Sequence, residues 1–465
     1  MKKYDVIVIG SGGGAKIITP ASKLGLKVAA IEKAALGGTC LNRGCIPSKM
    51  LIHPADVAAT IIDAKKFDID IDTNFSVNFE NLVTRISSTV DSDSKSIESG
   101  YGKNPNIDFY HGLAKFVSNK VISVSGEELT ADKIFIATGC RPTIPNIEGL
   151  AGTPFLTSTE ALRNTKLPRK MIVVGGGYIA VELGHAYGAL GCEVHFLVRS
   201  RMVKHEDNQV GDEFERVFSK LYNVHLGTIP TKVDYRNNTF TVTFKDAQGR
   251  ITQMMCDALL IATGVTPNTD DLGLEKTDIK LRDGGFIQVD DRLRTNVDGV
   301  YALGDCVGNY LFRHSVNFEG EYLMRTVFVE KKDEPINYGP VPHAIFTRPQ
   351  FAGAGKTEDE LKSEGKKEGV DYVVGLNYYK NSAMGMALRS DSGFVKILID
   401  RATRKILGAH IIGDEASNMI HMLIALMYKN GTLDDLLNMI YIHPALPEIV
   451  RNAARKAEIA IDGAL

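Results

Sequence analysis

The chain has 465 residues, 44% hydrophobic and 24% charged, with a formal net charge of −2. That length exceeds one ordinary core and implies roughly two to four domains, and the near-neutral balance gives no electrostatic reason to expect nucleic acid or an anionic membrane as partner. Six cysteines in so long a chain do not make a secreted disulfide scaffold, so a cytoplasmic setting is expected.

The opening MKKYDVIVIGSGGG is lysine-led and apolar, but its apolar run is too short for an export signal and breaks into glycines, so it is expected to be a first β-strand. No apolar stretch approaches the ~20 residues needed to cross a bilayer. After the strand comes Gly10-x-Gly12-x-x-Ala15, opening a helix. Gly10 permits the tight turn, and Gly12 lets a pyrophosphate approach the backbone at a helix N-terminus. Ala15 stands in the third glycine position, and Glu32 ends the next strand, VAAIE, where an acid binds a ribose hydroxyl.

Residues 37–49 are GGTCLNRGCIPSK. A zinc site needs about four ligands, usually from two paired motifs; no second pair accompanies Cys40 and Cys45, and no metal is expected. A static staple between residues so close gains little, and a cycling disulfide fits better. A thiolate is the reactive form and is favoured near a helix N-terminus and a cation. Gly37 and Gly38 allow close backbone approach, and Pro47 suits the first turn of a helix carrying Lys49. The other four cysteines, Cys140, Cys192, Cys256 and Cys306, are expected to be buried thiols.

From about 50 to 100 helical spacing predicts inserted helices, and KIFIATGCRP (133–142) closes the first unit. KMIVVGGGYIAVEL (170–183) repeats the opening design with Gly175-x-Gly177-x-x-Ala180, and ALLIATGVTP (258–267) repeats the close. In this second unit Val198 stands where Glu32 stands in the first, followed by Arg199, Arg201, Lys204 and His205. An absent acid with cations alongside suits the 2′-phosphate of NADPH better than NADH. GGFIQVDDRLRTNVDGVYALGDC (284–306) is expected to supply alternating strand residues ending in a glycine-aspartate turn. Beyond 338, YVVGLNYY, FVKILID and KILGAHIIG precede two helical stretches. The expected fold is therefore α/β, with two doubly wound Rossmann-like units and a C-terminal α+β domain. The expected divisions are 1–145, 146–264, 265–337 returning to the first unit, and 338–465.

GGTCLNRGCIPSK, both glycine turns, both ATG strand ends, YALGD and IHPALPEIV together resemble the class I pyridine nucleotide-disulfide oxidoreductases over essentially the whole chain. The resemblance implies FAD in residues 1–145, NAD(P)H in 146–264, a dimerisation domain at the C-terminus and a homodimer. It makes Cys45 the flavin-proximal thiol, Cys40 the thiol that exchanges with substrate, and Lys49 with Glu182 an ion pair beside the flavin. His443 and Glu448, supplied by the partner subunit, become base and orienting carboxylate, since a neutral thiol is a poor nucleophile. Tyr178 matches an aromatic gate for nicotinamide. Asp305 would bind the ribityl chain and Arg313 would face the flavin pyrimidine. Gly38, Thr39, Ala114 and Gly139 match FAD-contacting positions, and Ile179 and Gly264 count with Arg199, Arg201 and His205 among the cofactor contacts. The expected activity is NADPH-driven reduction of a small disulfide, of the mycothione or glutathione reductase kind; the alternative is oxidation of dihydrolipoyl groups with NAD. Mercury as substrate is disfavoured because the last cysteine is Cys306. Two departures stand out: Arg43 where the family usually has valine, a cation that could activate a thiol or simply face solvent, and His343, which the sequence leaves without an account.

Overall fold

The computed structural model describes residues 1–463. Its first sheet is built on Lys2–Ile9, flanked in parallel by Val28–Glu32 and Glu127–Ile136. Val6, Ile7 and Val8 are wholly buried, because a parallel sheet is covered on both faces, and that gives the strand its unbroken apolar run. Ile107–His111 extends the parallel sheet beyond Val28–Glu32, and Val121–Val124 and Lys115–Ser118 add an antiparallel arm at the other edge. The second sheet is parallel throughout, in the order Asn223–Leu226, Glu193–Val198, Lys170–Val174, Ala258–Ile261. A three-stranded antiparallel sheet, Ile229–Arg236, Thr239–Lys245 and Ile251–Cys256, accompanies it. The two units are joined where each ends: Cys140–Pro142 pairs antiparallel with Val265–Pro267.

After the second sheet the chain returns, and Val300–Ala302 lies parallel to Glu127–Ile136 in the first. The alternating residues Phe286–Asp290 just before do not form a sheet strand. Ile287 donates to the Cys306 carbonyl and Gln288 to Lys280, so this extended backbone is satisfied by a turn and a single bridge with Leu281 rather than by a ladder. The C-terminal part is a five-stranded antiparallel sheet ordered His343–Ile345, Phe351–Gly355, Ile406–Ile412, Phe394–Asp400, Tyr372–Tyr378. Helices Ala416–Tyr428 and Glu448–Asp462 share its apolar core. No helix among the described residues is long and apolar enough to cross a membrane.

The repeated ATG endings have a steric reason. Gly10 (φ 98°) and Gly175 (φ 136°) each press on the carbonyl of the matching alanine, so that an added Cβ would lie 2.2 Å from Ala137 O or Ala262 O. Both turns need glycine for the positive φ and for this approach. In the first turn the crowded third position is Gly14, where a Cβ would meet Gly10 O at 2.1 Å, while Ala15, one residue on, begins the helix Ala15–Lys23 and carries its methyl. Cys192, Cys256 and Cys306 are buried and Cys140 is half-buried.

Candidate active site

Gly37 (φ 99°) caps a short helix, Gly38–Arg43, which carries Cys40. The chain then bends at Gly44 (φ −143°, ψ −118°), and Cys45 is the first residue of the helix Cys45–Ile62. A Cβ on Gly44 would stand 2.9 Å from Thr39 O, so the missing side chain lets the two helices fold back on each other. This brings the thiols within hydrogen-bonding reach and makes them unequal. Cys45 is lowered to about 7, first because the Cys40 thiol donates to it, then by the Lys49 charge one turn on. Cys40 is pushed well up by the same bond and by burial, against the Arg313 charge and a hydrogen bond from the Cys45 backbone. A thiol whose folded-state pKa is depressed is thiolate above that value and gains its proton as pH falls through it. In the reduced protein, thiolate absorbance at 240 nm is therefore expected to fall by one equivalent on acidification through about pH 7, and Lys49→Met to move that midpoint upward. A protein with no thiol titrating below pH 8 would remove the basis for this asymmetry. Arg43, the last residue of the short helix, makes no ion pair among the described residues; the cations acting on the thiols are Lys49 and Arg313.

Lys49 Nζ lies 2.6 Å from Glu182 Oε2 and 4.5 Å from the centre of the Phe346 ring. The second Glu182 oxygen accepts the Phe346 N–H at 3.0 Å. Truncating one partner of such a pair leaves a poorly solvated charge. Farther along the same two helices His185 bridges Asp56, at 3.0 Å, and the Tyr222 hydroxyl, at 2.9 Å, which fixes the axial register that Lys49 and Glu182 need.

The first glycine turn opens onto a cradle made of backbone. Gly12 and Gly38 touch: a Cβ on Gly38 would lie 2.6 Å from Gly12 Cα, and Arg313 Nη1 would be 3.9 Å from a Cβ on Gly12. Glu32 is held facing this turn, accepting from Ser11 N at 2.9 Å, Ser11 Oγ at 2.8 Å and Ala34 N at 3.0 Å. Val316, in the helix Arg313–Leu323, packs where Cβ atoms on Gly13 and Gly304 would sit, locking the turn to the YALGD segment. Burial raises the Asp305 carboxyl, opposed only by Arg313, and among the described residues that carboxylate accepts no hydrogen bond. A glycine trough, a helix N-terminus and a carboxylate awaiting a hydroxyl fit a dinucleotide with a polyol chain. Thr39 is exposed nearby, Ala114 is buried, and a Cβ on Gly139 (φ 64°) would meet nothing within 4 Å among the described residues.

In the second unit a Cβ on Gly177 or Gly264 would likewise meet nothing within 4 Å among the described residues. Val198 is buried, while Arg199, Lys204 and His205 are exposed. Arg201 is committed to Asn208 and, at 2.8 Å, to Asp212. Ile179 is 41% exposed. Tyr178 begins the helix Tyr178–Ala189 and gives its hydroxyl to Glu206.

Among the described residues His443 makes no hydrogen bond to either cysteine. Its Nδ1 is 3.0 Å from both oxygens of Glu448, which also accepts from Arg451 at 2.9 Å and Ala445 N at 3.1 Å. The imidazole is 72% exposed, beside Ile440 and Ile442, which are more than four-fifths exposed. The structure thus brings Cys40, Cys45, Lys49 and Glu182 together within one chain and leaves His443–Glu448 on an open apolar face. Sequence reasoning missed Glu206, Glu319 and Val316. Glu319 is buried and fixes the Gly304 turn, accepting from Gly304 N at 2.6 Å and the Tyr338 hydroxyl at 2.7 Å; its only sequence signal is an acid on the inner face of a helix.

Residues 4–346 match the family model described as pyridine nucleotide-disulphide oxidoreductase, and residues 341–454 match that family's dimerisation domain. The chain is 35% identical over 467 residues to mycothione reductase of Mycobacterium tuberculosis, covering 97% of this chain and 99% of that protein. It is 33% identical over 462 residues to dihydrolipoyl dehydrogenase of Bacillus subtilis, covering 97% and 96%. Among solved structures, the Cu(II) complex of the HOCl-induced flavoprotein disulfide reductase RclA from Escherichia coli superposes with a TM-score of 0.86 at 26% identity, over 98% of this chain and 99% of that one.

Proposed function

We propose, from the premise that this chain belongs to the pyridine nucleotide-disulphide oxidoreductase family, that it is a cytoplasmic homodimer using NADPH to reduce a small disulfide of the mycothiol or glutathione kind. The family uses FAD and a pyridine nucleotide. The observation that supports the reading is the inequality of the two thiols, one an anion near neutrality and one held protonated. A dithiol built to exchange with a substrate needs this division of labour.

Gly10, Gly12, Gly38, Glu32, Asp305 and Arg313 would hold FAD, with Thr39, Ala114 and Gly139 beside it. FAD held there would supply the two-electron relay between nicotinamide and the Cys40–Cys45 disulfide. Lys49 and Glu182 place a compensated charge next to the Cys45 sulfur, so an anion can form there without exposing an unpaired cation. Cys40 acts once His443 of the partner subunit takes its proton: its thiolate attacks the substrate disulfide, and the first substrate thiol leaves with that proton. Cys45 then attacks the Cys40 sulfur, releasing the second thiol, which is protonated from solvent, and closing the disulfide again.

Absence of an acid at Val198, with Arg199 and His205 exposed, favours NADPH. Arg199→Ala is expected to raise the KM for NADPH about tenfold, the worth of one charge-assisted hydrogen bond, and to leave that for NADH unchanged. The deciding assay compares NADPH with NADH on the purified flavoprotein, using oxidised lipoamide, glutathione disulfide and mycothiol disulfide as acceptors. NADPH preference with a low-molecular-weight disulfide is the expected result. NADH preference with fast lipoamide turnover would replace it by the dihydrolipoyl dehydrogenase reading.

A further inference from the structure

Glu206 and His343 have no part in the electron path above. In the structure Glu206 accepts the Tyr178 hydroxyl on one carboxylate oxygen, and His343 Nε2 meets the other at 2.8 Å. The His343 and Tyr178 rings lie nearly parallel, 11° apart with centroids at 6.3 Å, and Phe312 lies within 21° of both. Tyr178 is therefore held by its hydroxyl and also along its ring. The Glu206 side chain is 1% exposed. Burial, the largest influence, pushes its carboxyl up, yet the His343 and Tyr178 contacts outweigh it and the group lies below the usual carboxylate range.

The acceptor side of this contact is itself fixed. Asp207, wholly buried, binds Lys396 Nζ through both oxygens at 2.9 Å, and Lys396 binds Glu358 at 2.6 Å. These bonds staple the loop carrying Glu206 to the C-terminal sheet, so Glu206 cannot follow the phenol if it swings. Tyr178 and Glu182 are neighbours four apart on one helix, and Tyr178 directly follows the open Gly177. Tyr178 thus follows the nucleotide turn directly and precedes the Lys49-bound Glu182 by one helical turn. Moving the phenol strips a donor from a buried carboxylate, which is costly.

We propose that Glu206 and His343 are positioning residues that latch Tyr178 shut at the nicotinamide site, so that the nucleotide binds only as often as the latch lets go. This rests on the function proposed above and on the family resemblance that makes Tyr178 an aromatic gate for nicotinamide. Apparent affinity falls by the fraction of molecules open, so a gate open about one-tenth of the time weakens binding about tenfold.

The test is calorimetric titration of NADP+ into the oxidised, FAD-loaded protein, as wild type, Tyr178→Phe, Glu206→Gln and the double variant. Tyr178→Phe is expected to tighten binding about 5–20-fold and Glu206→Gln by less, and the double to gain no more than Tyr178→Phe, because Glu206→Gln weakens to a neutral amide acceptor the same bond that Tyr178→Phe removes. Tyr178→Phe deletes one oxygen and decides the matter even if Glu206→Gln does not fold. Wild type binding normally with Tyr178→Phe unchanged would overturn the latch alone, as would a double variant whose gain is the product of the singles. A wild type binding neither NADP+ nor NAD+ would overturn the proposed function, and the latch with it.

Discussion

Cys45→Ser is expected to lower disulfide reduction by on the order of 10³-fold or more while leaving the fold and the yellow chromophore in place. Cys45 supplies the thiolate, at about 7 through the Cys40 bond and Lys49, and a serine hydroxyl ionises far above any working pH and cannot form a disulfide. Cys40→Ser is expected to lose as much by a different route: the Cys45 thiolate keeps a hydroxyl donor but has no sulfur to trap. Counting accessible thiols separates these from misfolding. Adding nicotinamide reductant exposes two new thiols in the wild type and none in either variant. A serine variant retaining more than about a tenth of wild-type turnover would mean that the pair is not on the electron path.

His443→Ala is expected to cost about 10²–10⁴-fold in disulfide exchange, the usual worth of a positioned general base, with the nicotinamide-driven half of the cycle nearly untouched. The geometry is that of a ring held at one nitrogen: Nδ1 is fixed on a carboxylate that Arg451 and Ala445 N in turn hold, and the ring projects from an exposed face. The hydrogen bonds to Glu448 favour its ionised form, the His443 bond foremost and then Ala445 N, and they outweigh the opposing effect of burial, so the carboxylate stays charged to orient the imidazole. Whether the base serves the partner's cysteines is answered by mixing. Inactive Cys40→Ser and inactive His443→Ala proteins, reassorted, are expected to regain about a quarter of wild-type activity, since half of the dimers then contain one intact site. No recovery would place His443 and the cysteines of one chain in the same site.

Each feature legible in the sequence lies within one continuous stretch. The glycine turns, the cysteine spacing and the helix start at Cys45 depend on neighbours only a few residues away, where backbone sterics act, and Glu32 and its missing counterpart at Val198 are read from their spacing behind each turn. The alternation in FIQV failed as a strand because alternation specifies a half-buried extended segment without specifying a partner, and the Cys306 and Lys280 backbones claimed its hydrogen bonds. Arg43 is nearest in sequence to the thiols, yet the charges that act on them come from Lys49 and from Arg313, which is remote in sequence.

Tertiary structure alone decided the rest: Ala137 and Ala262 pressing on the two turns, Val316 closing the first cradle, Arg201 consumed by Asp212, and His343 reaching Glu206 across 137 positions. A buried carboxylate needs donors from wherever the packing brings them. No local periodicity records which distant side chain will arrive, and so the histidine without a sequence rationale became intelligible only once its acceptor was in place.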